Sequence, residues 1–230
     1  MKYGESIFDV LYLLFAIVSG VVILARAKDR SGRLMGFAAL ILGCGDAFHL
    51  VPRVLNYFIG ADFTAALGIG KLVTSVTMTL FYVLLYYVRL AYFRGTEKKG
   101  VTAAVWALAA LRIALCVFPQ NGWLKNSSDM TWGIIRNVPF VALGAVICVL
   151  YFKSRNESRR FKPVWVYILL SFAFYIPVTV GAGSVTMLGM LMLPKTVCYI
   201  LLIATFLLAV CRRSGGEKTD RTKERNKETA

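Results

Sequence analysis

The chain has 230 residues, 58% of them hydrophobic, and a formal net charge of +15. Soluble domains lie nearer about 45–50% apolar, so an ordinary water-soluble globule is excluded. A single histidine and five scattered cysteines with no Cys-x-x-Cys pair exclude the common zinc-ligand sets; no metal and no cofactor is expected.

A bilayer crossing needs about 20 apolar residues. Such runs recur seven times: Ile7–Ala25, Leu34–Asn56, Ala65–Phe93, Val101–Phe118, Trp132–Phe152, Pro163–Ala182 and Met187–Cys211. They predict an all-α, polytopic membrane protein with seven transmembrane helices. The membrane domain occupies residues 1–213, and a basic cytoplasmic tail, 214–230, is expected to be disordered. Ala25-Arg26-Ala27 has the look of a signal-peptide cleavage site. The strong basic flank follows that apolar run rather than preceding it, which favours an uncleaved span.

Charge orients the bundle. Nineteen Lys and Arg fall in the first, third and fifth loops and the tail, against Lys2, Arg53 and Lys125 at the other ends. By the positive-inside rule the N-terminus is outside and the C-terminus cytoplasmic. The +15 therefore belongs to topology and to contact with anionic membrane lipids, and no nucleic-acid partner is expected. Of the outer loops, the one following span four holds Trp123, a candidate interfacial anchor. It also holds Asn126-Ser127-Ser128, a glycosylation sequon by pattern that nothing else in the chain supports.

Polar residues inside the spans cost about 2.5–3.5 kcal/mol per charge on insertion scales and call for a reason. The first span carries Asp9. The second holds Gly45-Asp46-Ala47-Phe48-His49-Leu50-Val51-Pro52-Arg53. Asp46 lies roughly 18 Å into its helix at about 1.5 Å per residue. At 100° per residue, Asp46, His49 and Arg53 fall within one stripe. The third span presents Lys71, Thr74, Ser75, Met78 and Tyr82 on one face, and its Phe81–Tyr92 stretch is expected to face lipid and the interface. Arg112 lies in the fourth span, Arg136 and Asn137 in the fifth. Ser171, Tyr175 and Thr179 follow at i, i+4 and i+8 in the sixth. Lys195 sits in the seventh, with Cys198 and Tyr199 on its face. Pro52, Pro139, Pro177 and Pro194 interrupt four spans beside these groups and are expected to kink them.

Together these predict an outward-facing cationic crevice with Asp46, His49, Arg53, Lys71, Ser75, Arg112, Arg136, Tyr175 and Lys195 as ligand-binding candidates. Arginine suits two-point contact with carboxylates and phosphates. The ligand class is a small anion or a lipid-derived molecule, to be bound, sensed or transported. A second reading makes Asp46 and His49 the acid/base pair of an intramembrane lipid hydrolase. A third leaves them as an internal hydrogen-bonded pair in a structural subunit without a ligand. The sequence does not fix the oligomeric state.

Three resemblances attach to these residues. The block Gly-Asp-x-Phe-His-Leu-x-Pro-Arg resembles that of a family of uncharacterised bacterial, Gram-positive seven-helix membrane proteins. The resemblance implies a bacterial plasma (inner) membrane and carries no function. Gly45-Asp46 also resembles the Gly-Asp of lysoplasmalogenase-like lipid hydrolases, but the histidine expected in the following helix is absent. Seven helices with Lys195 in the last, and Tyr175-Ile176-Pro177-Val178 in the sixth, loosely resemble microbial rhodopsins. The acid such proteins carry in helix three is replaced here by Lys71 and threonines.

Overall fold

The computed structural model describes residues 2–59, 62–125, 130–181 and 186–228, with side chains placed no further than Arg212. Among the described residues there is no strand. Seven α-helices make the fold: α1 Lys2–Arg26, α2 Arg30–Ile59, α3 Thr64–Tyr92, α4 Lys99–Val117, α5 Met130–Lys153, α6 Val164–Gly181 and α7 Met192–Glu228. Seven stretches are long and apolar enough to cross a membrane, the last being Met187–Arg212. The sequon Asn126-Ser127-Ser128 and the end of the sixth expected span, Ala182, lie outside the described residues. The segment expected as a disordered tail, 214–230, continues α7 as backbone helix to Glu228.

Short-range chemistry sets the helix boundaries. Asp29 opens α2 by accepting the Gly32 amide at 3.0 Å and the Ser31 hydroxyl at 2.6 Å, satisfying donors that a helix start leaves open. Asp62 does the same for α3 through the Thr64 amide at 2.9 Å. α3 ends where Arg94 takes φ 51° and the Gly95 amide reaches back to the Leu90 carbonyl at 3.1 Å, a left-handed C-terminal cap.

Each helix packs on its chain neighbour, and α7 closes back onto α1. With seven helices, α1 and α7 run parallel; Arg26 Nη1 meets Cys211 Sγ at 3.2 Å where both near the same end. α3 is the inner element. It packs along α2 and also touches α4 and α5. Phe81 stacks edge-on to Tyr199 of α7, and Tyr82 to Phe140 of α5. Lipid tails are as apolar as leucine, so close packing and interhelical hydrogen bonds hold such helices together. The Tyr82–Ser171 contact at 3.3 Å and the Tyr151 hydroxyl donating to the Leu85 carbonyl at 2.9 Å are of this kind.

Two expectations are corrected here. Phe81, Tyr82 and Tyr86 are fully buried and do not face lipid, because α3 occupies the interior. Pro194 stands in the first turn of α7, after the 3-10 segment Thr186–Leu191, where a helix has no amide bond to lose. Pro52, Pro139 and Pro177 do lie inside helices. The outer surface carries large exposed apolar side chains, such as Leu11, Leu14, Val18 and Val21 along α1. Water does not tolerate a surface of that extent, whereas a bilayer does: this is a multi-pass membrane protein.

Candidate functional site

At one end of the bundle, α2 and α6 finish while α3, α5 and α7 begin. A crevice of about 440 Å³ opens among them, lined by His49, Lys71, Thr74, Ser75, Trp123, Arg136, Asn137, Tyr175 and Thr179 with apolar neighbours. Among the described residues no Asp or Glu lines it.

The wall from α5 is built by hydrogen bonds. Tyr175 donates its hydroxyl to Asn137 Oδ1 at 2.7 Å, and Asn137 Nδ2 donates to the Gly133 carbonyl at 2.8 Å. Arg136 Nη1 donates to Asn121 Oδ1 at 2.7 Å, and the guanidinium lies 4.3 Å from the Trp123 ring centroid. That aromatic face attracts the cation and holds it at the crevice. Arg136 Nε is buried without a partner. On α3, Ser75 and Thr74 give their hydroxyls to backbone carbonyls, Lys71 at 2.7 Å and Gly45 at 3.1 Å. His49 turns toward α3 with its Nδ1 buried and unpartnered.

The loop after α4 is a further wall of this site: Trp123, expected as an interfacial anchor, lines the crevice. Asn121 Nδ2 donates to the Leu115 carbonyl at 2.8 Å and the Phe118 carbonyl at 2.9 Å, closing the end of α4. Gly122 takes φ 60° between two 3-10 turns, a conformation that suits glycine. The turn lays Trp123 on α3, where Gly68 has no side chain and a Cβ would overlap the Trp123 carbonyl oxygen. The sequence signal for this loop is Pro119-Gln120-Asn121-Gly122, a turn cluster.

The predicted residues divide. His49, Lys71, Ser75, Arg136 and Tyr175 line the crevice. Lys195 does not line it; its ammonium sits 4.7 Å from the Tyr175 ring centroid and 5.3 Å from that of Tyr199, beneath the floor. Asp46 lies deeper, where Tyr12 of α1 donates to its Oδ2 at 2.6 Å, and it feels the charge of Lys195. Arg112 is 2% exposed; it donates to the Arg136 carbonyl and approaches the Phe140 ring to 5.2 Å, so it backs the wall from behind. Arg53 stays beside Asp46 on the α1 side of the stripe: it pairs with Glu5 and bonds to Tyr57, and it does not line the crevice. Asp46 and Arg53 both meet α1, while His49, at the far edge of the arc, lines the crevice on the α3 side; a 60° arc is wide enough to straddle the seam between the two helices.

No protein-family profile matches the chain, and no curated protein does.

What this arrangement offers chemically is positive charge with hydrogen-bond donors at fixed positions. Arg136 and Arg112 donate to neutral oxygens, Asn121 Oδ1 and the Arg136 carbonyl. Cations held in a medium of low polarity without a carboxylate are costly.

Proposed function

We propose that the protein lies in a bacterial plasma membrane, N-terminus outside and C-terminus in the cytoplasm, and binds a small anionic or lipid-derived ligand in the crevice, as a binding, sensing or transport protein. One observation carries this reading: the crevice holds Arg136 and Lys71 beside neutral polar side chains, and no described carboxylate lines it. The orientation follows from charge. The first, third and fifth loops, rich in Lys and Arg, gather at the end opposite the crevice, and basic loops stay on the cytoplasmic side.

The hydrolase reading has less behind it. Asp46 gives an oxygen to Tyr12 of α1, while His49 turns to the crevice on the α3 side. Among the described residues no hydrogen bond joins the two.

The test is native mass spectrometry of the full chain purified in mild detergent. Wild type should retain an anion or anionic lipid. Lys71→Gln with Arg136→Gln should lose it, and Arg53→Gln should keep it because Arg53 faces Glu5. Equal retention in the double variant, or none in wild type across a panel of added carboxylates and phosphates, overturns the reading.

A further inference from the structure

A second cavity, of about 320 Å³, lies at the opposite end between α3, α4 and α5. Its polar lining is Tyr86, Arg89, Thr96, Lys98 and Lys153, over a floor of Leu90, Val101 and Leu150. Among the described residues no carboxylate lines it; the neighbouring Glu97 is exposed and is not part of the lining. The cavity shares no residue with the crevice.

Arg89 is fixed rather than free. Its Nε donates to the Leu150 carbonyl at 3.1 Å and to Ser154 Oγ at 3.2 Å, and its Nη2 donates to Ser154 Oγ at 2.9 Å. Nη1 donates to nothing among the described residues. It points to the side where Gly95 stands, and a Cβ there would come within 3.8 Å of it. Gly95 lines the cavity beside it. The α3 terminus nearby would repel an anion through its free carbonyls, but the Phe93 and Gly95 amides cover the carbonyls of Arg89 and Leu90. The start of α4 adds the favourable end of a helix. Lys98 precedes its first turn without a side-chain cap, and α4 runs for 19 residues.

We propose that this cavity is a phosphate site. A pre-oriented guanidinium with a free edge, two ammonium groups and a helix start is a donor set matched to a phosphate oxygen cluster. The site stands at the basic end of the bundle, over a strip of apolar side chains, so the same chemistry is met by the headgroup phosphate of an anionic lipid or by a soluble phosphate. Many cations gather at this end, and diffuse attraction to anionic lipid is expected of all of them. A built site differs in depending on particular cations.

The experiment uses the full chain in detergent with three probes: phosphatidylglycerol, diacylglycerol of the same acyl chains, and inorganic phosphate at matched ionic strength. Lipid binding is read by native mass spectrometry and phosphate by the shift in melting temperature. Lys98→Gln with Lys153→Gln removes two lining charges that hold no other helix in place. Arg159→Gln with Lys162→Gln removes two exposed charges at the same end and serves as the charge-matched control. Phosphatidylglycerol should bind wild type and the control alike, and bind the Lys98/Lys153 variant about tenfold more weakly, with diacylglycerol ignored by all. If inorganic phosphate alone stabilises wild type and the control but not the lining variant, the site stands and its source is soluble. Equal loss in both double variants, no loss in either, or no binding of either phosphate probe to wild type overturns the proposal. The crevice variant Lys71→Gln with Arg136→Gln should leave this binding unchanged, so the two sites fail or stand separately.

Discussion

Asp46 and Arg53 are one stripe on a helical wheel and two different contacts in the protein. Arg53 reaches across to Glu5, and Asp46 takes the Tyr12 hydroxyl at 2.6 Å. Neither Glu5 nor Tyr12 stands out as a partner in the linear sequence, because the pairing is between helices. Below the crevice floor the Lys195 ammonium underlies Tyr175, 4.7 Å from its ring centroid. Asp46→Asn keeps an acceptor for Tyr12 and removes the negative charge. If the crevice takes an anion, this variant should hold it more tightly, by about 1 kcal/mol or roughly fivefold for one charge at moderate distance and intermediate polarity. A competition titration with the retained anion measures it. Weaker binding would show that Asp46 contributes something other than charge. The hydrolase reading predicts instead that a lysolipid turnover disappears in the same variant.

Among the elements, α3 is a long span with a polar face, as its sequence predicts, but its tyrosine-rich stretch is interior rather than lipid-facing. Tyrosines in a membrane helix signal either an interface or an interior with hydrogen-bond partners. Composition does not distinguish the two. Tyr86 finds Thr102 at 2.6 Å and Tyr82 finds Ser171, so here the second applies. Pro194 has a similar lesson. A proline beside a polar residue reads as a kink, but in the first turn of α7 it costs no hydrogen bond. The loop 119–125 joins the site only because α3 offers Gly68 beneath Trp123. Gly68→Ala would force the Trp123 backbone away from α3 and with it the aromatic face under Arg136. Retention of the crevice anion should fall at least several-fold, with a stability loss of about 1–3 kcal/mol typical of overpacking. Gly100→Ala, with nothing within 4 Å of its Cβ, is the control and should change neither quantity in native mass spectrometry and thermal unfolding. Unchanged retention in Gly68→Ala would remove the loop from the site.

At the scale of the whole molecule, seven alternating helices with odd parity place the crevice and the basic loops at opposite ends. The proposed orientation makes the crevice extracellular. Leu124→Cys, 70% exposed in the wild-type side chain, should then react with a membrane-impermeant thiol reagent on intact cells. Arg159→Cys should react only after permeabilisation, and the reverse pattern would turn the protein over. The number of spans and their approximate limits were legible in the sequence, because a bilayer imposes length and apolarity on each helix by itself. So were the residue types of the crevice: His49, Lys71, Ser75, Arg136 and Tyr175 are conspicuous because polar groups are rare inside apolar runs. Which of those groups meet was decided by tertiary structure alone. Arg53 went to Glu5, Arg112 went behind α5, Lys195 went under the floor, and Trp123 and Asn137 came in. Periodicity specifies a direction around one helix axis. Partnership depends on which neighbour lies in that direction, and only the packed bundle supplies the neighbour.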